Sequence, residues 1–147
     1  HRDYHSRNLM ISDSGQPGIL DFQDAVRGPL TYDLVSILRD CYIAWPDERV
    51  YAWAESFRQR AEAAGLPTGT ADRFRRAFDL MGLQRHLKVL GIFCRLYYRD
   101  GKAGYLNDLP LVWRYTRDIG RRYPETAALI ALIEQAIGTR DITRPNA

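Results

Sequence analysis

The sequence predicts a mainly α-helical domain that carries one small β-hairpin near its N-terminal end. Two observations support this fold class. After Thr31, apolar residues recur at every third or fourth position over most of the chain, as they do on the buried faces of helices. Before that point, two short apolar runs flank a turn that is rich in Gly, Pro, Asp and Ser. We therefore expect a hairpin followed by a helical region.

The hairpin comes first in the chain. Its predicted strands are the runs 8–12 and 18–22, and residues 13–17 form the turn between them. A hairpin brings its two ends together. Asn8, at the start of one strand, and Asp21, near the end of the other, should therefore lie side by side.

A series of helices follows the hairpin. Thr31 is the expected N-cap of the first helix, which should run to Pro46, where proline removes a hydrogen-bond donor. Gly82 and Gly91 each cost about 1 kcal/mol relative to Ala inside a helix, so we expect a close neighbour at both. The predicted helical ranges are 31–45, 47–64, 70–99, 106–122 and 125–137.

Length and composition predict one domain over residues 1–147. Residues 1–30 form its loops and hairpin, 31–138 its helical subdomain, and 139–147 a frayed tail. With 46% hydrophobic residues, the chain can bury a core of its own.

Charge and cysteine usage exclude some function classes. The 21 basic and 18 acidic residues are spread along the chain, which does not favour nucleic-acid binding. No apolar run approaches the ~20 residues that a membrane span needs. Cys41 and Cys94 lie in apolar helical patterns, which predicts two buried free thiols in a reducing cytoplasm.

Two short motifs carry the chemistry. One contains Asp3 and Asn8, and the other contains Asp21 at the end of the second strand. Phosphoryl transfer needs a base near the attacking hydroxyl and phosphates neutralised by metal ions. Asp3 fits the base, and the Asn8 amide oxygen and the Asp21 carboxylate are oxygen ligands of the kind that Mg²⁺ prefers. Either motif alone is common by chance, but together at hairpin spacing they indicate a kinase-type active site.

These residues also carry a resemblance. The run from His1 to Leu34 resembles the catalytic core of the aminoglycoside phosphotransferase family, a branch of the protein-kinase-like fold. The segments 33–42 and 81–93 are most similar to the anomeric sugar kinases that phosphorylate N-acetylmuramate and N-acetylglucosamine in bacterial cell-wall recycling. The resemblance extends to about Tyr123 and implies the C-terminal lobe of a kinase-like α+β fold.

The resemblance implies a role for each matching residue. Asp3 would be the catalytic base, and Asn8 and Asp21 would be the magnesium ligands. Asp33 would be a buried aspartate that supports the catalytic loop. Asp24 would contact the metal, support a residue that does, or support the end of a helix.

The chain also departs from the family pattern. Such kinases have an N-terminal lobe that covers the nucleotide and supplies a lysine to its phosphates. Here His1 already lies inside the catalytic motif. We expect the chain to be the C-terminal lobe of a longer enzyme, to pair with the N-terminal lobe of the same protein, and to bind nucleotide poorly alone.

A polar cluster lies between the two glycines of the third helix. Arg85, His86 or Lys88 could pair with a sugar carboxylate. The alternative is a solvated helix face with one hydrogen-bonded histidine. If the acceptor sugar has a lactyl carboxylate, Arg85 and His86 are the expected contacts.

The leading functional hypothesis is a cytoplasmic kinase that uses ATP and Mg²⁺ to phosphorylate the anomeric hydroxyl of an amino sugar. An aminoglycoside phosphotransferase is the nearest alternative, although such an enzyme is expected to line its acceptor cleft with acids. A non-catalytic kinase-like binding module is also open, but the presence of Asp3, Asn8 and Asp21 together argues against it. A metal-dependent hydrolase would need further acidic or histidine ligands.

Overall fold

The structure is a computed structural model, and it describes residues 1–144. It contains two strands and five α-helices in the predicted order, which confirms the mainly α-helical fold class with a small hairpin. Short 3₁₀ helices at Ser6–Asn8 and Ala103–Asp108 precede β1 and α4. The elements are β1 Leu9–Ile11, β2 Pro17–Ile19, α1 Thr31–Leu38, α2 Asp47–Ala63, α3 Ala71–Asp100, α4 Leu109–Gly120 and α5 Pro124–Ile137.

The hairpin forms where the sequence predicts it, with shorter strands. β1 and β2 pair antiparallel, and Met10 lies opposite Gly18. The Ser12 amide donates to the Gln16 carbonyl at 3.0 Å, and Gly15 has φ +76°, a turn conformation that glycine adopts readily. Most hairpin side chains are exposed, so the hairpin is held chiefly by its backbone hydrogen bonds.

The first helix ends earlier than predicted. α1 stops at Leu38, and Arg39 leaves the helix with φ −124° and ψ 53°. The prediction of a helix to residue 45 was wrong because Asp40 takes up a different set of contacts, described below. Thr31 is also not the N-cap; Leu30 is, and Thr31 is a buried residue of the first turn.

The chain divides into two compact units, the first of which spans His1–Met81. Its hydrophobic core joins α1, α2 and the start of α3. The core residues are Val35, Leu38, Val50, Ala54 and Phe78. The predicted single domain over 1–147 stays a prediction.

A buried polar network lies beside this core. The Arg39 guanidinium donates to Asp79 Oδ1 at 2.8 Å and to the Tyr51 hydroxyl oxygen at 2.7 Å. The Tyr51 hydroxyl donates to the same Asp79 oxygen at 2.8 Å. Arg39 is 2% exposed and Asp79 is 1% exposed, so the charges satisfy one another away from water.

The second unit begins at Gly82 and contains the rest of α3, α4 and α5. α4 begins at Leu109 rather than at the predicted 106, with Pro110 in its first turn. Close approaches were predicted at Gly82 and Gly91. A Cβ built at Gly91 meets no atom within 4 Å, so that part was wrong, and the one for Gly82 stays a prediction. A close approach is found at Gly120, where a Cβ would overlap the Ile130 side chain.

Within residues 1–144, neither Cys41 nor Cys94 forms a disulfide, and both are half-buried rather than buried as predicted. Among residues 1–144, no helix is both long and apolar enough to cross a lipid bilayer.

The predicted tail 139–147 is described only to Arg144. Its first part holds a turn in which Asp141 accepts from Thr143, and residues 145–147 lie outside the described part.

Candidate active site

The site is built on the loop that opens the chain. The Asp3 carbonyl oxygen accepts the His5 amide at 3.0 Å and the Asn8 side-chain amide at 2.9 Å. Arg2 has φ +76°, a conformation that costs non-glycine residues energy and is common at functional sites. The loop is therefore folded back on itself around Asp3.

The Asp3 carboxylate is the group predicted to act as a base. Asp3 is half-buried, and its carboxylate accepts no hydrogen bond from any residue in the range 1–144. An ionised carboxylate only accepts hydrogen bonds. Its oxygens are therefore available to a hydroxyl group of a bound molecule.

Asn8 and Asp21 lie side by side, as the hairpin predicts. The Leu20 amide donates to the Asn8 carbonyl oxygen at 2.9 Å, which extends the ladder beyond β1 and β2. The Asn8 side-chain nitrogen lies 3.4 Å from Asp21 Oδ2. The Gln23 side-chain amide donates to Asp21 Oδ1 at 2.6 Å and helps to orient that carboxylate.

The backbone of Asp21 is also unusual. Its φ of +62° lies in the left-handed region, which only a few per cent of non-glycine residues adopt. Asp and Asn enter this region more readily than most residues. The chain turns sharply here at the end of the hairpin, and this turn directs the Asp21 side chain toward Asn8.

The donor set fits a magnesium ion. Mg²⁺ is usually held by one or two protein carboxylates together with substrate phosphates and water. Asn8 and Asp21 carry an amide oxygen and a carboxylate on neighbouring side chains, and the Asn8 nitrogen faces the carboxylate at 3.4 Å. Within residues 1–144, no cluster of three or more His, Cys, Asp or Glu side chains suits a metal. Asn8 and Asp21 are the candidate ligands on the chemistry of their side chains alone.

Asp33 contacts the first two residues of the loop. Its carboxylate accepts from the His1 backbone nitrogen at 2.8 Å and from the Arg2 amide at 2.9 Å. The Asp33 side chain is 40% exposed, so the expectation that it is buried was wrong. Both of its carboxylate oxygens nevertheless accept a hydrogen bond from the loop.

Asp40 is a further contact of the loop that the sequence analysis missed. Its Oδ2 accepts the Ser6 amide at 2.9 Å, and the residue is 2% exposed. No local pattern in the sequence indicates this contact, because Ser6 and Asp40 are 34 positions apart and Asp40 lies beyond the end of α1.

A cavity of about 930 Å³ adjoins the loop on the side of Asp33. Arg2 and Tyr4, which flank Asp3 in the sequence, line one wall, and the segment from Val26 to Leu30 lines another. The lining is mainly apolar, with Arg27 as a further charged group.

Residues 1–78 match the model of the phosphotransferase enzyme family, which is more than half of the 147-residue chain. The chain belongs to this family. The resemblance found in the catalytic motifs is therefore confirmed, and Asp3, Asn8, Asp21, Asp33 and Asp40 all lie within the matched residues.

Three relatives of the chain share one protein name. The chain is 51% identical over 143 residues to the N-acetylmuramate/N-acetylglucosamine kinase of Neisseria meningitidis serogroup B, and the alignment covers 97% of the chain and 42% of that protein. It is 50% identical to the protein of the same name from Pseudomonas putida, over 92% of the chain and 40% of that protein. A protein of that name from Caulobacter vibrioides is 32% identical, over 93% of the chain and 37% of its own length.

The chain thus spans about two fifths of the length of the curated relatives that it matches. This partial coverage agrees with the prediction of a lobe of a longer phosphotransferase.

The other predicted site residues are Asp24, Arg85 and His86. Asp24 lies in an exposed turn after β2, and within residues 1–144 no hydrogen bond joins it to Asn8 or Asp21. Arg85 and His86 lie beyond the phosphotransferase match and in the second unit. His86 is 2% exposed and its ring stacks on Tyr115 at 5.0 Å between centroids, so it does not lie on a solvated helix face. Contact of Arg85 and His86 with substrate stays a prediction.

Proposed function

We propose that the full-length protein carrying this chain transfers the γ-phosphate of ATP to a hydroxyl of an amino sugar. The acceptor is the anomeric hydroxyl of N-acetylmuramate or N-acetylglucosamine. The main support is that Asp3, Asn8 and Asp21 lie close together in a chain whose sequence is 51% identical to a protein named N-acetylmuramate/N-acetylglucosamine kinase. Family membership alone would leave the acceptor open.

Asp3 acts as the base in this proposal. The sugar oxygen attacks the γ-phosphorus, and a bond forms between them as the bond from phosphorus to the β,γ-bridging oxygen breaks. The products are a sugar phosphate and ADP, and the hydroxyl proton passes to an Asp3 carboxylate oxygen. The half-buried carboxylate that accepts no hydrogen bond from residues 1–144 suits this role.

Asn8 and Asp21 hold magnesium in this proposal. When bound, Mg²⁺ neutralises the charge on the nucleotide phosphates. The Asn8 amide nitrogen donates to the Asp3 carbonyl oxygen, which leaves the amide oxygen for the metal. Gln23 orients the Asp21 carboxylate, and Asp24 either contacts the metal or supports the segment that does.

The remaining predicted residues act around this centre. Asp33 supports the catalytic loop through its bonds to the backbone of His1 and Arg2. Arg85 and His86 would contact the acceptor, with Arg85 pairing with a carboxylate where the sugar has one. The N-terminal lobe of the same protein would cover the nucleotide.

We also propose that the protein works in the cytoplasm, where ATP is available. Neither Cys41 nor Cys94 forms a disulfide within residues 1–144, which agrees with a reducing compartment. Cell fractionation of the native protein tests this part of the proposal, and recovery with periplasmic or membrane markers would contradict it.

The test of the reaction uses the full-length protein with ATP and Mg²⁺. N-acetylmuramate, N-acetylglucosamine and an aminoglycoside are supplied separately, and the product is followed by phosphorus NMR. We expect a phosphorus signal coupled to an anomeric proton with the sugars. Asp3→Asn should abolish this signal. The matched control is Asp13→Asn, the same change in the exposed hairpin turn, which should leave the rate unchanged.

Three other results of this experiment would contradict part or all of the proposed function. A phosphomonoester on the aminoglycoside alone would assign the protein to the antibiotic-modifying branch and contradict the sugar acceptor. Full activity of the Asp3→Asn variant would show that Asp3 is not the base. The absence of transfer to all three acceptors would favour a kinase-like binding module.

A further inference from the structure

Residues 40–42, which follow α1, contact residues 5–7. These residues belong to the loop that runs from His1 to Asn8 and contains the proposed base Asp3, and it is called the catalytic loop here. Asp40 Oδ2 accepts the Ser6 amide at 2.9 Å. The Tyr42 ring meets the His5 ring edge to face, with 5.8 Å between centroids. The Arg7 guanidinium carbon lies 3.4 Å from the centroid of the same Tyr42 ring. Three consecutive loop residues are therefore held by two residues that lie far from them in the sequence.

Asp40 is a firm point of attachment. A buried carboxylate is tolerated only where polar partners replace the lost water. Asp40 is 2% exposed, and it accepts a second backbone hydrogen bond, from Tyr42 at 3.1 Å. Hydrogen bonds to a charged acceptor are stronger than neutral ones. The Ser6 amide is thus fixed relative to the end of α1.

The residue before Asp40 anchors the segment in the first unit. Arg39 donates to Asp79 and to Tyr51, which belong to α3 and α2. Its guanidinium carbon also lies 4.8 Å from the centroid of the Phe78 ring in the hydrophobic core. The backbone at residues 39 and 40 is therefore held from the core, and it has little freedom to follow a displaced loop.

We propose that Asp40 and Tyr42 are positioning residues for phosphoryl transfer. They hold residues 5–7 so that Asn8 stays bonded to the Asp3 carbonyl oxygen and beside Asp21. Asp33 holds the loop before Asp3, and Asp40 holds it after Asp3. This inference rests on the proposed kinase function, but it concerns residues that touch neither the nucleotide nor the sugar in that proposal.

The proposal predicts a specific change for Asp40→Asn. The variant keeps the shape of the side chain, but one acceptor oxygen becomes an amide group that cannot accept from a backbone amide. Displacement of a reacting group by about 1 Å can lower a rate about 100-fold. We expect kcat to fall by roughly that factor, while KM for the sugar changes less than about twofold. The Mg²⁺ concentration for half-maximal rate should rise, because Asn8 is displaced.

Tyr42 provides an independent arm of the test. Tyr42→Leu removes the ring that contacts both His5 and Arg7, and we expect it to lower kcat in the same direction as Asp40→Asn. Tyr42→Phe keeps the ring and should restore most of the rate lost in Tyr42→Leu. A high rate in Tyr42→Phe together with a low rate in Tyr42→Leu would show that the ring contact supports turnover, beyond the need for a folded protein.

The measurements use the full-length protein at a temperature where thermal unfolding shows every variant to be folded. The control for lost stability is Val50→Ala, which truncates a fully buried side chain of α2 away from the loop. It should lower the unfolding temperature but leave kcat unchanged. Amide hydrogen exchange gives a readout that does not need turnover. Asp40→Asn should speed exchange at Ser6, whereas Val50→Ala should affect Ser6 no more than the rest of the unit.

The outcomes separate this inference from the proposed function. A wild-type protein that transfers phosphate in an Asp3-dependent way, with Asp40→Asn and Tyr42→Leu equally active, would overturn the inference alone. Equal losses of kcat in the Asp40→Asn and Val50→Ala variants would also overturn it, because they would show a role in stability only. A wild-type protein without transfer would overturn the proposed function, and unchanged Ser6 exchange in Asp40→Asn would then overturn the contact as well.

Discussion

The side-chain amide of Asn8 donates a hydrogen bond of 2.9 Å to the backbone oxygen of Asp3. The same nitrogen lies 3.4 Å from the Asp21 carboxylate at the end of the hairpin. One side chain thus connects the loop of the proposed base to the turn after β2 that carries the proposed metal ligand. Changes at Asn8 should therefore affect loop geometry and metal binding together.

In the proposed kinase, Asn8→Ala should lower the transfer rate of the full-length protein at least about 100-fold, because it removes the proposed metal oxygen and the hydrogen bond to the Asp3 carbonyl oxygen. The rate measured against Mg²⁺ concentration should also reach half-maximum at a higher concentration. Asn107→Ala, the same change at an exposed position, is the control. An unchanged Mg²⁺ dependence in Asn8→Ala would contradict the assignment of Asn8 as a ligand.

Asp79→Ala should destabilise the protein strongly, because it leaves the buried Arg39 guanidinium without its counter-charge. Removal of one partner of a buried pair costs about 3–5 kcal/mol. Urea unfolding gives the change in the free energy of unfolding. Asp72→Ala, at an exposed position in the first turn of the same helix, should cost less than about 1 kcal/mol. Similar losses in the two variants would show that the buried pair contributes little.

Two glycine substitutions should act in opposite directions. Gly120→Ala should destabilise by about 1–3 kcal/mol, because the added Cβ overlaps the fully buried Ile130 side chain. Gly91→Ala places a Cβ in open space within α3 and should stabilise by about 1 kcal/mol. Thermal unfolding compares both with wild type. A stabilised Gly120→Ala variant would contradict the close packing of α4 and α5.

Stability should depend on the ionisation of Glu55 in acid. Arg58 donates hydrogen bonds of 2.8 Å and 2.9 Å to its carboxylate and lowers the pKa of Glu55 below its ordinary value of 4.5. Because the folded pKa is the lower one, this stabilisation is present above pH 4.5 and is lost as pH falls through the folded value.

Glu55→Gln should therefore reduce the loss of stability below pH 4.5, as measured by urea midpoints across that range. The effect should be small and should weaken with added salt, because the pair lies at the surface. Glu48→Gln, the same change in the first turn of α2, is the control. An equal change in both variants would assign the acid sensitivity to the net charge of the helix.

The local features of the fold were predictable from the sequence. The apolar runs and the turn between them predict the hairpin, and α2, α3 and α5 lie within a residue or two of their predicted ranges. The adjacency of Asn8 and Asp21 follows from the hairpin itself, since paired strands bring their ends together. Signals of this kind act between residues that are close in the chain.

The features that were missed depend on residues that are far apart in the chain. α1 has a helical pattern to residue 45, yet it ends at Leu38, where Asp40 bonds instead to the Ser6 amide. Helical spacing does not show that a loop 34 positions away will take that carboxylate. For the same reason, the sequence suggested a close approach at Gly91, whereas packing placed it at Gly120.

The sequence by itself determined the order of the elements and the family of the chain, and it supplied the proposed roles of Asp3, Asn8 and Asp21. It could do so because side-chain chemistry and short-range spacing are written directly in the chain. Only the tertiary structure decided how the catalytic loop is held, with Asp33 before Asp3 and Asp40 after it. Those hydrogen bonds form only when packing brings the end of α1 to the loop, so no local pattern specifies them.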